Sequence, residues 1–98
     1  MTTYAFDATV WEYDGPGSWH FVSLPQECAD KIDQLTADSG TAFGSVRVEV
    51  SIGRTRWSTS LFPDRRQGTY LLPVKRSVRT AENLIEGSVA HVEVTLAG

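Results

Sequence analysis

The chain has a single cysteine, Cys28, among 98 residues, which rules out an internal disulfide and a Cys-x-x-Cys metal site. Histidine is also scarce: His20 and His91 each lack a second His, Cys or carboxylate at metal-ligand spacing, so no zinc centre and no cofactor are expected. No apolar run approaches the roughly 18 residues that span a bilayer, and Met1-Thr2-Thr3-Tyr4 lacks the basic and apolar regions of a signal peptide. A cytoplasmic location with no membrane partner is therefore expected. There is no Gly-x-Ser-x-Gly elbow, and Gly15-Pro16-Gly17-Ser18 lacks the Gly-Lys-Ser/Thr ending of a phosphate loop, so it reads as a turn.

What is present is ordinary globular material, with 41% hydrophobic and 21% charged residues and no low-complexity tract. The length suits one domain over residues 1–98 with one core, so any site lies on that core's surface or is completed by a second copy. Both a monomer and a homo-oligomer fit these numbers. The net charge of −3 hides an uneven distribution. Residues 1–46 carry seven acids against Lys31 alone, whereas residues 47–79 carry eight basic residues against Glu49 and Asp64. Overall acidity argues against bulk nucleic-acid binding, yet a local basic face is compatible with it.

Alternation dominates the hydrophobic pattern. Tyr4, Phe6, Ala8 and Val10 share one face of a first strand that runs to the Asp14-Gly15-Pro16-Gly17 turn. Trp19 to Leu24 reads as a second strand, stopped by Pro25 at the start of a helix with Cys28, Ala29, Ile32 and Leu35 on its apolar side and Gly40 at its end. Val46, Val48, Val50 and Ile52 alternate with Arg47, Glu49 and Ser51 in a third strand. Gly53-Arg54 then turns the chain into a strand over Arg56–Phe62, broken by Pro63. A short strand over Thr69–Leu72 ends at Pro73, and Ser77 to Leu84 forms a second helix closed by Gly87. Val89 to Leu96 completes the set.

The two Leu-Pro stops, Leu24-Pro25 and Leu72-Pro73, punctuate two similar strand–helix–strand units. The expected fold is mainly β with two short α-helices, a small double-split β-barrel of two pseudo-repeated strand–Leu-Pro–helix units. Closing such a barrel buries two apolar half-sheets and leaves no long exposed edge.

Ile52-Gly53-x-x-x-Trp57-x-Thr59-Ser60-Leu61-Phe62-Pro63 and Gly68-x-Tyr70-Leu71-Leu72-Pro73-Val74-Lys75-x-x-Val78-Arg79 together resemble the prokaryotic domain-of-unknown-function family DUF1905. Trp19-x-Phe21-Val22-x-Leu24-Pro25 and the Glu86-Gly87 region extend the resemblance nearly end to end, with Ser88 departing from the acidic residue that relatives tend to have. The resemblance implies a double-split barrel with two short helices, and it supplies no activity. The stretch from Leu72-Pro73 through Glu86-Gly87-Ser88-Val89 is also similar to the β-hairpin units of AbrB and MazE type, which bind DNA as dimers through arginines. Because both half-units sit in one chain here, that similarity bears on barrel topology more than on DNA binding.

Basic residues are the strongest functional candidates. Arg47 and Arg56 can face each other across the Gly53 hairpin, and Lys75 and Arg79 lie four apart at the start of the second helix, hence on one side of it. Converging, they would hold a carboxylate or phosphate, with Trp57 as an apolar wall and Ser58 or Ser60 donating hydrogen bonds. The competing explanation is surface pairing with Glu49, Glu82 or Glu86, worth on the order of 0–1 kcal/mol each. Ser58-Thr59-Ser60 has no histidine within its motif to activate a nucleophile, so no catalytic residue is assigned. Trp11, Trp19 and Trp57 are read as core side chains. The expected function is a binding or structural module with a pocket for a small anionic molecule; nucleic-acid binding is the alternative, and an enzyme comes third.

Overall fold

Strand alternation and two proline stops set the architecture. The computed structural model describes residues 2–15, 17–36 and 44–97. The expected helix end at Gly40 and the Pro16 of the turn lie outside the described residues. In β4 (Val46–Ile52) the even positions Val46, Val48, Val50 and Ile52 are buried, while Arg47 and Glu49 are exposed. The same period recurs in β7 (Val89–Leu96), which buries Ala90, Val92 and Val94. The two strands pair antiparallel with Val50 opposite Val94, so one valine-rich face forms the centre of the core. Each such side chain contributes roughly 1.5–3 kcal/mol on burial.

The remaining strands are β1 (Thr3–Thr9), β2 (Trp11–Glu12), β3 (His20–Ser23), β5 (Thr55–Asp64) and β6 (Thr69–Pro73). All pair antiparallel in a curled half-barrel sheet of order β1-β7-β4-β5-β6-β3-β2. The two outer strands of that order, β1 and β2, are separated in sequence only by Val10. Val10 is fully buried, donates its amide to Ser88 O at 2.8 Å and accepts from the Gly87 amide at 2.8 Å. The expected unbroken first strand is thus divided there, because its first part pairs with β7 and its second with β3. β5 changes partner in the same way, pairing with β4 as far as Leu61 and with β6 from Phe62. It therefore runs through Pro63 instead of ending before it.

Helix α1 (Gln26–Thr36) follows Pro25 and buries Ala29 and Ile32. Leu35, expected on that apolar side, is 55% exposed. Helix α2 (Arg76–Glu82) starts and ends earlier than its spacing predicts, because Asn83 adopts the left-handed conformation at φ 55° and terminates it. Gly87, expected to close α2, belongs to the turn that meets Val10. At the β4–β5 turn Gly53 has φ +59°, a conformation that favours glycine, and a Cβ there would displace the Glu82 carboxylate of α2. Glu82 in turn accepts from Thr55 Oγ1 at 2.7 Å. Among the described residues no helix is long and apolar enough to cross a membrane.

Tyr70 ties β6 to α1 by donating its hydroxyl to Asp33. Burial, then that hydrogen bond to a carboxylate, pushes the phenol from an ordinary 10.0 up to about 12. The fold therefore favours the protonated phenol, a stabilisation complete below pH 10 and lost as pH rises toward 12. Between pH 9 and pH 12 the wild type should lose on the order of 2 kcal/mol relative to Tyr70→Phe in urea unfolding. Parallel pH profiles for the two proteins would contradict this assignment.

Candidate functional site

The register of β4 and β5 decides which predicted site residues meet. Arg47 stands opposite Ser60 and Arg56 opposite Ser51, so the two arginines do not face each other across the hairpin. Strand alternation then separates the rest. Val50 pairs with Trp57 and Val48 with Thr59, which puts these β5 residues on the core side of the sheet, and Trp57 packs against the buried cluster. Arg56, Ser58 and Ser60 alternate onto the other face. There the Ser58 hydroxyl donates to Glu49 Oε1 at 3.0 Å and Ser60 accepts from Arg47 Nη1 at 3.3 Å. Arg56 lines a shallow outer depression with Glu49 and Glu93. The single seven-residue pocket expected from sequence is therefore divided by the pleat, with Arg47, Arg56 and Ser60 outside it.

Four of the seven do come together. A cleft of about 600 Å³ is bordered by Trp57, Ser58, Lys75 and Arg79, and also by Arg76, Trp19, His20 and Phe62. Its cationic side comes from the start of α2, where Val74 is buried and anchors the chain while Lys75 and Arg76 project into solvent. Arg79, half-buried, donates Nε to Val74 O at 3.1 Å, which fixes its guanidinium plane beside the opening. Among the described residues, no carboxylate lies within ion-pair distance of Lys75, Arg76 or Arg79; the ion pairs formed are His20–Glu12, Lys31–Glu27 and His91–Asp7. The surface pairing to Glu49, Glu82 or Glu86 does not form. Three cations on one turn and a half of chain thus face the cleft without a carboxylate partner among the described residues, and an anion there would relieve their mutual repulsion.

The apolar side is aromatic. Trp19, read from sequence as core, is 57% exposed, and Phe62 is 47% exposed. The Trp19 ring stacks on Phe21 with centroids 6.2 Å apart and planes 9° apart, and Phe21 meets Trp11 on a tilt at 5.2 Å. One indole face is thereby held and the other left open. Trp11 itself is partly buried and donates Nε1 to Ser23 Oγ at 3.0 Å.

His20 is buried at the back of the cleft. Its Nδ1 donates to the Ser18 carbonyl at 3.1 Å, since a carbonyl only accepts, and its Nε2 lies 3.4 Å from Glu12 Oε2. Both ring nitrogens are engaged structurally, and neither Ser58 nor Ser60 is bonded to a histidine. Cys28 is half-buried on α1, its thiol pushed up by burial and then by Glu27, which makes it a poor nucleophile. Among the described residues no group of three or more His, Cys, Asp or Glu side chains converges on a metal-sized position.

Sequence reasoning missed Arg76, Trp19 and Phe62. Arg76 was legible in principle, being three residues before Arg79 on a helix and so on the same side. Trp19 and Phe62 were not, because a strand aromatic next to a turn or a sheet switch has no sequence mark of which face it presents.

The family described as Domain of unknown function (DUF1905) matches the chain over residues 6–94. No curated protein matches it.

Because Trp19 is the most exposed of the three indoles, Trp19→Phe should remove most of the tryptophan fluorescence that iodide quenches. Unchanged quenching would place Trp19 in the core.

Proposed function

The chain belongs to the DUF1905 family, and from its cleft we propose that it is a binding module for a small anion carrying an apolar, planar body. The observation that carries this reading is the set of unpaired cations, Lys75, Arg76 and Arg79, facing Trp57 and Trp19 across one opening. Arg79 and Lys75 offer hydrogen bonds with charge to a carboxylate or phosphate, and the indoles offer stacking surface. Clefts of this size and mixed lining suit small molecules. Arg47, Arg56 and Ser60 lie outside this arrangement, and Ser58 borders it with its hydroxyl already engaged by Glu49.

We read the fold as a double-split barrel of two pseudo-repeats, and this reading sharpens the argument. Exchanging the unit β1/β2–β3–α1–β4 with β5–β6–α2–β7 leaves the strand order unchanged. The helices start fifty residues apart, at Gln26 and Arg76, and Val22 pairs with Leu72 on the axis of exchange. At the positions of Lys75, Arg76 and Arg79 the first unit carries Pro25, Gln26 and Ala29. Gln26, though exposed, donates Nε2 to Gly68 O and Asp30 Oδ1, and Ala29 is fully buried. The same helix start is thus built without any cation, so the fold does not require the basic triad of the second unit.

Nucleic-acid binding is the second reading, favoured by the open indole face of Trp19 beside the same cations. The two differ in salt response. With phenyl phosphate or benzoate as probe, saturating ligand should raise the melting temperature, by about 2.7 kcal/mol of added stability at a hundredfold excess over Kd. Arg79→Ala should abolish that shift while the apo protein stays folded. Retention on single-stranded DNA or RNA that falls steeply with salt, without any shift from the small acids, would favour the second reading instead.

A further inference from the structure

The cleft does not end at Trp19. Trp19, Phe62 and Pro73 also form one wall of an adjoining groove of about 300 Å³, whose other sides are Tyr13, Phe21 and Leu71. Among the described residues no charged side chain lines this second groove. The two adjoining depressions, which share Trp19, Phe62 and Pro73, differ in character, with Lys75, Arg76 and Arg79 at the first and, among the described residues, only aromatic and aliphatic side chains at the second.

Two glycines shape the apolar end. Gly17 has φ +87°, and a Cβ there would lie 3.2 Å from both Cδ1 and Nε1 of Trp19. A Cβ at Gly15 would lie 2.3 Å from Tyr13 Cε2. Each glycine thus leaves room for an aromatic ring close against the turn, and the Tyr13 amide donates to Trp19 O at 2.8 Å, which holds the two ring-bearing arms together. Tyr13 is nonetheless 48% exposed, so this packing presents the ring to the groove instead of burying it.

We infer that the occupant is an amphiphilic acid, with one anionic head at Lys75, Arg76 and Arg79 and an extended apolar tail that crosses Trp19 into the groove beside Tyr13, Phe21 and Leu71. The inference rests on the anion-binding reading of the cleft and extends it. A single-stranded nucleic acid following the same track would place successive phosphates along the groove, where no cation meets them. A head-and-tail molecule places its only charge where the cations are and buries methylenes where they are absent. Gly15 and Gly17 act as positioning residues for the two rings.

The test is a titration of the whole protein with hexanoate, octanoate, decanoate and dodecanoate below their micelle concentrations, read by calorimetry. Affinity should rise roughly two- to fourfold per methylene until the groove is filled. Arg79→Gln should weaken every acid by a similar factor and leave the length dependence in place. Tyr13→Ser should flatten the length dependence, and Gly17→Ala should do the same if it folds, by displacing the Trp19 ring. Length-independent binding that Arg79→Gln still weakens would overturn the tail groove while leaving the anion site standing. No binding by any of these acids, nor by benzoate or phenyl phosphate, would overturn both. Retention on vesicles of anionic phospholipid without length-dependent binding of the free acids would also overturn it.

Discussion

The structure depends on one junction, the buried residue Val10, where a single stretch of chain leaves one strand partner and takes another. A curled sheet has two outer strands whose unpaired groups must be satisfied or covered. Here those strands are consecutive in sequence, so the backbone itself joins the two ends of the sheet order through Val10. Both backbone groups of Val10 are paired with the Gly87–Ser88 turn. Leu61 stands at the matching change of partner in β5, and it too is fully buried. An apolar side chain at each pivot keeps the strand continuous through the core where its ladder is interrupted.

The same junction positions the cleft. Gly87 and Ser88 lie between α2 and β7, so their bonds to Val10 fix where the chain leaves α2. The far end of α2 is held by Asn83 and by Glu82 against the β4–β5 turn. With its C-terminal end so constrained, α2 presents its first turn toward β5, where the partner change leaves Trp57 on the inner face and Phe62 exposed. Cations from a helix start and aromatics from a sheet switch meet because the fold brings those two features to one place.

Much of this was legible in the residues. The alternation of β4 and β7 reads directly as Val46–Ile52 and Val89–Leu96, and each proline stop precedes a helix. Lys75, the extended residue that precedes α2, and Arg79 within it both border the cleft. Register was not legible: a hairpin turn announces itself through Gly53, but which residue opposes which depends on the whole sheet, so Arg47 and Arg56 were brought together wrongly. Alternation alone sets Trp57 and Ser58 on opposite faces of β5, which leaves the Ser58 hydroxyl on Glu49 although both residues border the cleft. The division of β1 from β2 was illegible, since Val10 differs from its neighbours only in what pairs on either side. The exposure of Trp19 and Tyr13, and the closeness of Gly17 and Gly15 to their rings, appear only in three dimensions.

The most direct measurement is native-state hydrogen exchange at the Val10 and Gly87 amides. If the sheet ends are tied at this junction, both amides exchange only through opening on the scale of global unfolding, as slowly as the central amides of β4 and β7. Exchange at the rate of exposed turn amides, with β4 and β7 still protected, would show two sheet ends that open independently and would contradict the account.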